Sequence, residues 1–163
     1  MHSADAIAKR LKLKPHPEGG RYREVWRSDA TVTTPDGRER PALTTIYYLL
    51  EAEEFSAFHR VKSDEAWHLY SGGPVELMLI DPESGKVSKR KLGLDIAIGE
   101  EPQVVVPAGW WEAAIPASGA AYALCGCTVG PGFDFADFEL ADPKALVRQF
   151  PKAKAVIEAL TRR

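Results

Sequence analysis

Short apolar runs, each closed by turn residues, limit most strongly what this chain can fold into. Leu43 to Leu50 is β-branched and aromatic throughout and apolar on both faces, so it predicts a central strand. Pro74 to Ile80, Lys86 to Leu92, Gln103 to Pro107, Trp110 to Ile115 and Tyr122 to Val129 read as further strands. Asp81 to Gly85 and Pro107-Ala-Gly109 are the turns between them, and Thr34-Pro-Asp-Gly37 places proline at the second position of another. Roughly nine or ten short strands spaced in this way predict an all-β sandwich or barrel. Helices are predicted only at the ends. Ser3 is a candidate N-cap for a helix to Leu13, with Ile7 and Leu11 on one face and Pro15 beyond its end. Asp142-Pro143 opens a second helix as N-cap and first residue, and a third covers Pro151 to Thr161. The 163 residues thus divide into an N-terminal helix (1–14), the β-structure (15–140) and C-terminal helices (141–163), and their length suits a single domain.

Ser56 to Gly72 carries the densest chemistry. It reads as strand, tight turn, strand and turn, closed by Gly72-Gly73-Pro74. Residues two apart on a strand share a face, so His59 and Val61 point one way, and Glu65, Trp67 and Leu69 point together on the next strand. With both faces turned inward, an imidazole and a carboxylate meet inside the β-structure. Such a pair can bind a cation, hold a polar ligand or move a proton. His68 lies three residues past Glu65, so strict alternation puts it on the opposite face, and only a bulge would return it to the site.

Composition excludes several classes. A formal net charge of -2 leaves no basic footprint for nucleic acid. No apolar run approaches the roughly 20 residues of a membrane span. Met1 to Pro17 lacks the apolar centre of a signal peptide, so the expected location is the cytoplasm. Cys125 and Cys127 would lie about 7 Å apart on one strand face, near the outer limit for a disulfide. They read as two small buried strand residues, with a redox or metal pair as the alternative.

The spacing resembles the first motif of the cupin superfamily: two histidines flanking one residue, then a glutamate, then a glycine. His59, Glu65 and Gly72 match it, and Val61 stands where the second histidine would be. Pro107-Ala-Gly109-Trp-Trp-Glu112 resembles the second motif, with Glu112 in place of its histidine. His16-Pro-Glu-Gly-Gly20, Thr45 to Leu50, Ser63 to His68, Val105 to Trp110 and Gly126 to Phe135 resemble the largely uncharacterised DUF985 (cupin-5) family of that superfamily. This family more often carries glutamine or histidine at the Glu112 position. The resemblance implies a jelly-roll dimer with one small-molecule pocket per barrel, structurally similar to sugar-nucleotide 3,5-epimerases. It supplies no substrate.

His59, Glu65 and His68 are therefore the candidate catalytic residues. His59, Glu65 and Glu112 form a candidate metal set that suits one divalent ion such as manganese, iron or zinc. Tyr48, Trp67, Trp110 and Tyr122 are candidate aromatic walls of the ligand pocket, and each is also a plausible core residue. Arg60, with Arg21 and Arg23, is a candidate clamp for phosphate or carboxylate. The leading expectation is an isomerase or epimerase acting on a small polar, sugar-like or nucleotide-sugar-like metabolite. In it His59 would be general base or metal ligand, and Glu65 and Glu112 ligands or acid. A non-catalytic ligand-binding cupin is the alternative. A metal-dependent oxygenase ranks last, because Val61 and Glu112 stand where histidines are usual.

Overall fold

The central strand expected at Leu43–Leu50 is β5 (Thr44–Glu51), flanked on both sides by other strands. The structure is a computed structural model, and it describes residues 3–162. In chain order the elements are α1 (Ala4–Leu11), β1 (Lys14–Pro15), β2 (Arg21–Arg27), β3 (Thr31–Thr33), β4 (Glu39–Pro41) and β5. Then come β6 (Ser56–Arg60), β7 (Asp64–Gly72), β8 (Val75–Ile80), β9 (Val87–Leu92), β10 (Gln103–Val106), β11 (Trp111–Pro116), β12 (Tyr122–Gly130) and β13 (Glu139–Leu140). The chain closes on α2 (Pro143–Gln149) and α3 (Lys154–Ala159). One antiparallel sheet has six strands in the order β1-β2-β5-β12-β7-β10, and a second has five, β13-β6-β11-β8-β9. The β3–β4 hairpin stands apart around the predicted Thr34–Gly37 turn. This is the all-β, two-sheet jelly roll that the sequence resemblance implies.

The main core lies between the sheets. Tyr48, Leu50, Trp67, Leu69, Leu77 and Val104 are all buried in it; on β7, β8 and β10 they alternate with exposed or half-exposed neighbours, whereas on β5 the intervening Leu49 is buried too. A second cluster packs α2 and α3 against the outside of the five-stranded sheet through Phe58, Trp111, Leu146, Phe150 and Ile157. The N-terminal helix covers the outside of the six-stranded sheet at Leu49. Its buried positions are Ala4 and Ala8, with Ile7 packed alongside, so the contact face lies one step round from the expected Ile7–Leu11 stripe. Small residues there let the helix axis approach the sheet closely.

One local expectation changes. Pro151–Ala153 is a 3-10 turn, so the last α-helix begins only at Lys154. Ile96–Ile98 is another 3-10 turn, with both isoleucines exposed. Among the described residues no helix is long and apolar enough to cross a membrane.

Candidate functional site

Strand register brings the predicted residues together. β6 and β11 pair antiparallel with His59 directly opposite Glu112, so the two side chains leave the five-stranded sheet on the same face. β7 belongs to the other sheet. Its buried residues are Glu65, Trp67 and Leu69, whereas Asp64 and Tyr70 are exposed and Ala66 and His68 half-buried. The two inner faces meet, and donor atoms of His59, Glu65 and Glu112 all lie within 4.8 Å of one another. The indole N–H of Trp67 crosses between the sheets and donates to Glu112 Oε1 at 3.0 Å.

A fourth group arrives from the loop before β2, and a fifth stands beside it. Gly19 and Gly20 take backbone conformations with φ of 114° and 67°, which side chains other than glycine's rarely tolerate. The loop so formed turns Glu18 and His16 inward. Glu18 Oε2 lies 3.1 Å from His59 Nε2, and Glu112 Oε1 lies 3.4 Å from the same nitrogen. The other ring nitrogen of His59 faces the Ala57 carbonyl at 2.8 Å, so Nδ1–H donates there and Nε2 is the atom presented to the carboxylates. His16 Nδ1 accepts the Glu18 backbone N–H at 3.2 Å, and its ring is edge-on to Tyr22 and Phe138.

All of these groups except the buried Glu112 line a cavity of about 580 Å³. His16, Glu18, His59, Glu65 and Trp67 contribute to it, with Val61 and Cys127 beside them. Tyr22, Phe133, Phe135 and Phe138 add aromatic walls, and Lys14, Arg23 and Arg27 lie among the lining residues. Phe138 also stacks on His59, with ring centroids 5.5 Å apart.

Burial and neighbours set the charges. Burial alone would lower the His59 pKa, but the carboxylates of Glu18 and Glu112 more than offset it and push the value up to about 9. Glu65 is driven well above the usual carboxyl range, first by burial and then by the charge of Glu112, so it keeps its proton. Burial works against the Glu112 carboxylate too, yet the hydrogen bond and charge of His59 outweigh it and hold Glu112 below its ordinary value. Burial lowers His16 and keeps it neutral. The site therefore contains an imidazolium, a neutral carboxylic acid and an ionised carboxylate in mutual contact. Glu112 Oε2 is buried and receives no N–H or hydroxyl hydrogen bond, so the proton retained by Glu65 is the one that can serve it.

The other expected residues lie elsewhere. β7 runs without a bulge at His68, which therefore faces away from Glu65 on the outside of the six-stranded sheet. Arg60 pairs with Glu139 and lies over the Trp111 ring at 4.5 Å, outside the cavity lining. Tyr122 packs in the outer cluster with Ala4, Ala8 and Leu49, and Trp110 packs against the main core without lining the cavity. Tyr48 is wholly buried and supports the site from behind, donating its hydroxyl to the Gly19 carbonyl at 2.7 Å. Of the four proposed aromatic walls, Trp67 alone touches the cavity. Arg21 pairs with Asp5 and Glu51 away from the cavity, whereas Arg23, which lies over the Tyr47 ring, is among the lining residues. Cys125 and Cys127 are buried free thiols, and burial raises both above the usual thiol range.

Glu18 and His16 were visible only as part of a motif, with no role attached. The signal available for them was the paired glycine, which demands a sharp loop beside the strand start.

Comparisons with known proteins agree with this architecture. The cupin superfamily (DUF985) family matches residues 5–141. An uncharacterized protein of Saccharomyces cerevisiae, YML079W, is 32% identical over 140 residues, covering 77% of this chain and 69% of the yeast protein. A hypothetical protein from Leishmania major superposes with a TM-score of 0.94 at 36% identity, covering 99% of this chain and 100% of that one. Protein SO0799 from Shewanella oneidensis gives 0.90 at 40% identity, with 99% of each chain covered. Oxalate decarboxylase from Bacillus subtilis shares the fold alone, at 17% identity and a TM-score of 0.57 over 90% of this chain and 36% of the enzyme. By its sequence and its two-sheet architecture, with His59, Glu65 and Glu112 clustered between the sheets, the chain belongs to the DUF985 family of the cupin superfamily.

Proposed function

We propose that this protein binds a small polar metabolite in the barrel cavity and moves a proton on it, as an isomerase or epimerase does next to a carbonyl. One observation carries the reading: His59 and Glu65, both holding protons, line the cavity, and the ionised Glu112 lies buried directly behind them. Groups whose environments push their pKa values apart are suited to donate and accept in one event. The expected role of His59 changes accordingly. It is an acid at neutral pH, and the carboxylates of Glu112 and Glu18 are the bases. Aromatic rings beside polar groups suit a sugar ring, and Lys14, which has no carboxylate partner among the described residues, suits an anionic substituent such as phosphate.

Incubation in D2O with sugars and nucleotide sugars that raise the melting temperature tests this reading. Deuterium entering the carbon next to the carbonyl, and lost in Glu112→Gln, is the expected result. Ligands that bind but take up no deuterium would leave a non-catalytic binding cupin.

A second reading rests on Glu112 Oε2. That buried oxygen, the Nε2 of His59 and the Glu65 carboxyl together fit a divalent cation, because metal-bound histidines commonly fix their other nitrogen on a carbonyl, as His59 does on Ala57. Such an ion would polarise a carbonyl oxygen of the bound ligand. Metal analysis of protein purified without chelator, before and after exposure to manganese, iron and zinc, separates the readings. Near one equivalent per chain supports the cation, and none after all three ions removes it.

A further inference from the structure

Among the described residues, the donors set deepest in the site are used inside the protein, with one exception. His59 commits Nδ1–H to the Ala57 carbonyl and Nε2–H to Glu18 and Glu112. The Trp67 indole serves Glu112, the Tyr48 hydroxyl serves the Gly19 carbonyl, and the proton kept by Glu65 is the one that can serve Glu112 Oε2. His16 differs. Its Nδ1 accepts the Glu18 backbone N–H at 3.2 Å, and a ring nitrogen that accepts carries no proton. The proton of the neutral ring therefore sits on Nε2, and burial keeps the ring neutral. Among the described residues no protein acceptor takes that N–H. Nor is Nε2 one of the polar atoms sealed away without a partner, so it opens on the cavity that the ring lines.

The ring is fixed before any ligand arrives. His16 N–H donates to the Gly20 carbonyl and Gly19 N–H to the His16 carbonyl, both at 3.0 Å, so residues 16–20 close into a tight turn. The Ala57 N–H holds the Glu18 carbonyl at 2.8 Å. Gly19 lies against Phe55 O and the Arg162 guanidinium, which leaves no room for a Cβ. Tyr22 and Phe138 pack edge-on against the imidazole, with ring centroids 4.6 and 5.9 Å away, and displace water that would compete for its N–H. The same turn carries Glu18, the carboxylate base that borders the cavity. A proton acceptor and a neutral donor thus face one cavity from one turn.

We infer that His16 is the electrophile of the site: its Nε2–H holds the carbonyl oxygen of the ligand while Glu18 takes the proton from the neighbouring carbon. This deepens the proton-transfer reading given above and rests on it. The C–H bond breaks, its proton forms an O–H bond on Glu18, and its electron pair moves towards the carbonyl oxygen. The product is an enolate, whose charge the imidazole N–H stabilises without giving up its own proton. Return of the proton to carbon restores both the carbonyl and the carboxylate. The substrate class is an aldehyde or ketone with a hydrogen on the adjacent carbon.

The test compares the full chain as wild type, His16→Phe and His16→Gln. The first variant keeps a ring in the aromatic packing and removes the donor; the second restores an N–H. The probes are pentafluorophenolate, whose oxyanion stands in for the enolate, and pentafluorobenzene, which lacks it, both followed by fluorine NMR. Wild type should prefer the phenolate, His16→Phe should lose roughly tenfold or more of that preference, and His16→Gln should recover part of it. Deuterium uptake by the sugars in D2O should fall roughly 100-fold in His16→Phe. An unchanged preference in His16→Phe, or a wild type that binds both probes alike or neither, overturns the inference and leaves proton transfer standing. So does an imidazole nitrogen NMR spectrum of the wild type that places the His16 proton on Nδ1, a readout that needs no variant to fold. Absence of deuterium uptake by the wild type overturns both.

Discussion

His59 is buried between two carboxylates that converge on one nitrogen, and its protonation is therefore tied to folding. Its folded pKa of about 9 lies above the ordinary 6.5. A raised value means that the stabilisation is full below about pH 6.5 and disappears as the pH climbs through about 9. In chelator-treated protein, denaturation of wild type and His59→Gln at about pH 6 and about pH 10 should show the difference shrinking at the higher pH. Trp67 contributes at the same scale. Trp67→Phe removes the N–H that serves Glu112 and leaves a buried carboxylate oxygen with one partner fewer, a cost on the order of 1–3 kcal/mol, readable in urea unfolding. His59, Glu65 and Glu112 were legible because strand periodicity and motif spacing place them with no knowledge of the fold. Glu18 and His16 were not, because a loop has no period and their contacts with the Ala57 peptide and the aromatic rings join segments distant in the chain.

Elements were legible wherever a local signal acts alone. Asp142 caps α2, accepting the Ala145 N–H at 2.6 Å with Pro143 behind it, and Ser3 accepts the Ala6 N–H at α1. Asp142→Ala should cost about 1 kcal/mol through loss of that cap, measured by chemical denaturation. Local periodicity gives way where two signals compete. In β2 the register with β5 shifts between Glu24 and Trp26, and Arg27 pairs with Glu24. Phe133, Phe135 and Phe138 follow neither a strand nor a helix period. Their place beside the cavity depends on the 3-10 turn at Phe135–Asp137, which no residue pattern announces.

At the scale of the whole molecule, the outer face of the six-stranded sheet carries the homodimer we propose. Tyr70 and Val105 are half-exposed there, beside His68, and Tyr47 packs edge-on against Tyr70. An exposed apolar area on a sheet face is suited to a self-complementary two-fold contact. Light scattering at micromolar concentration should give twice the 17.9 kDa chain mass, and Val105→Glu should return a folded monomer. A monomeric wild type would sink the proposal. The two-sheet arrangement has one more consequence. Glu65 and Trp67 belong to one sheet and His59 and Glu112 to the other, so the reactive groups sit on the seam of the sandwich. Anything gripped by both sides acts as a rivet. Occupancy of the cavity should then slow the opening of the whole barrel, and amide exchange far from the ligand, in β5 and β8 alike, becomes a gauge of whether the cavity is filled.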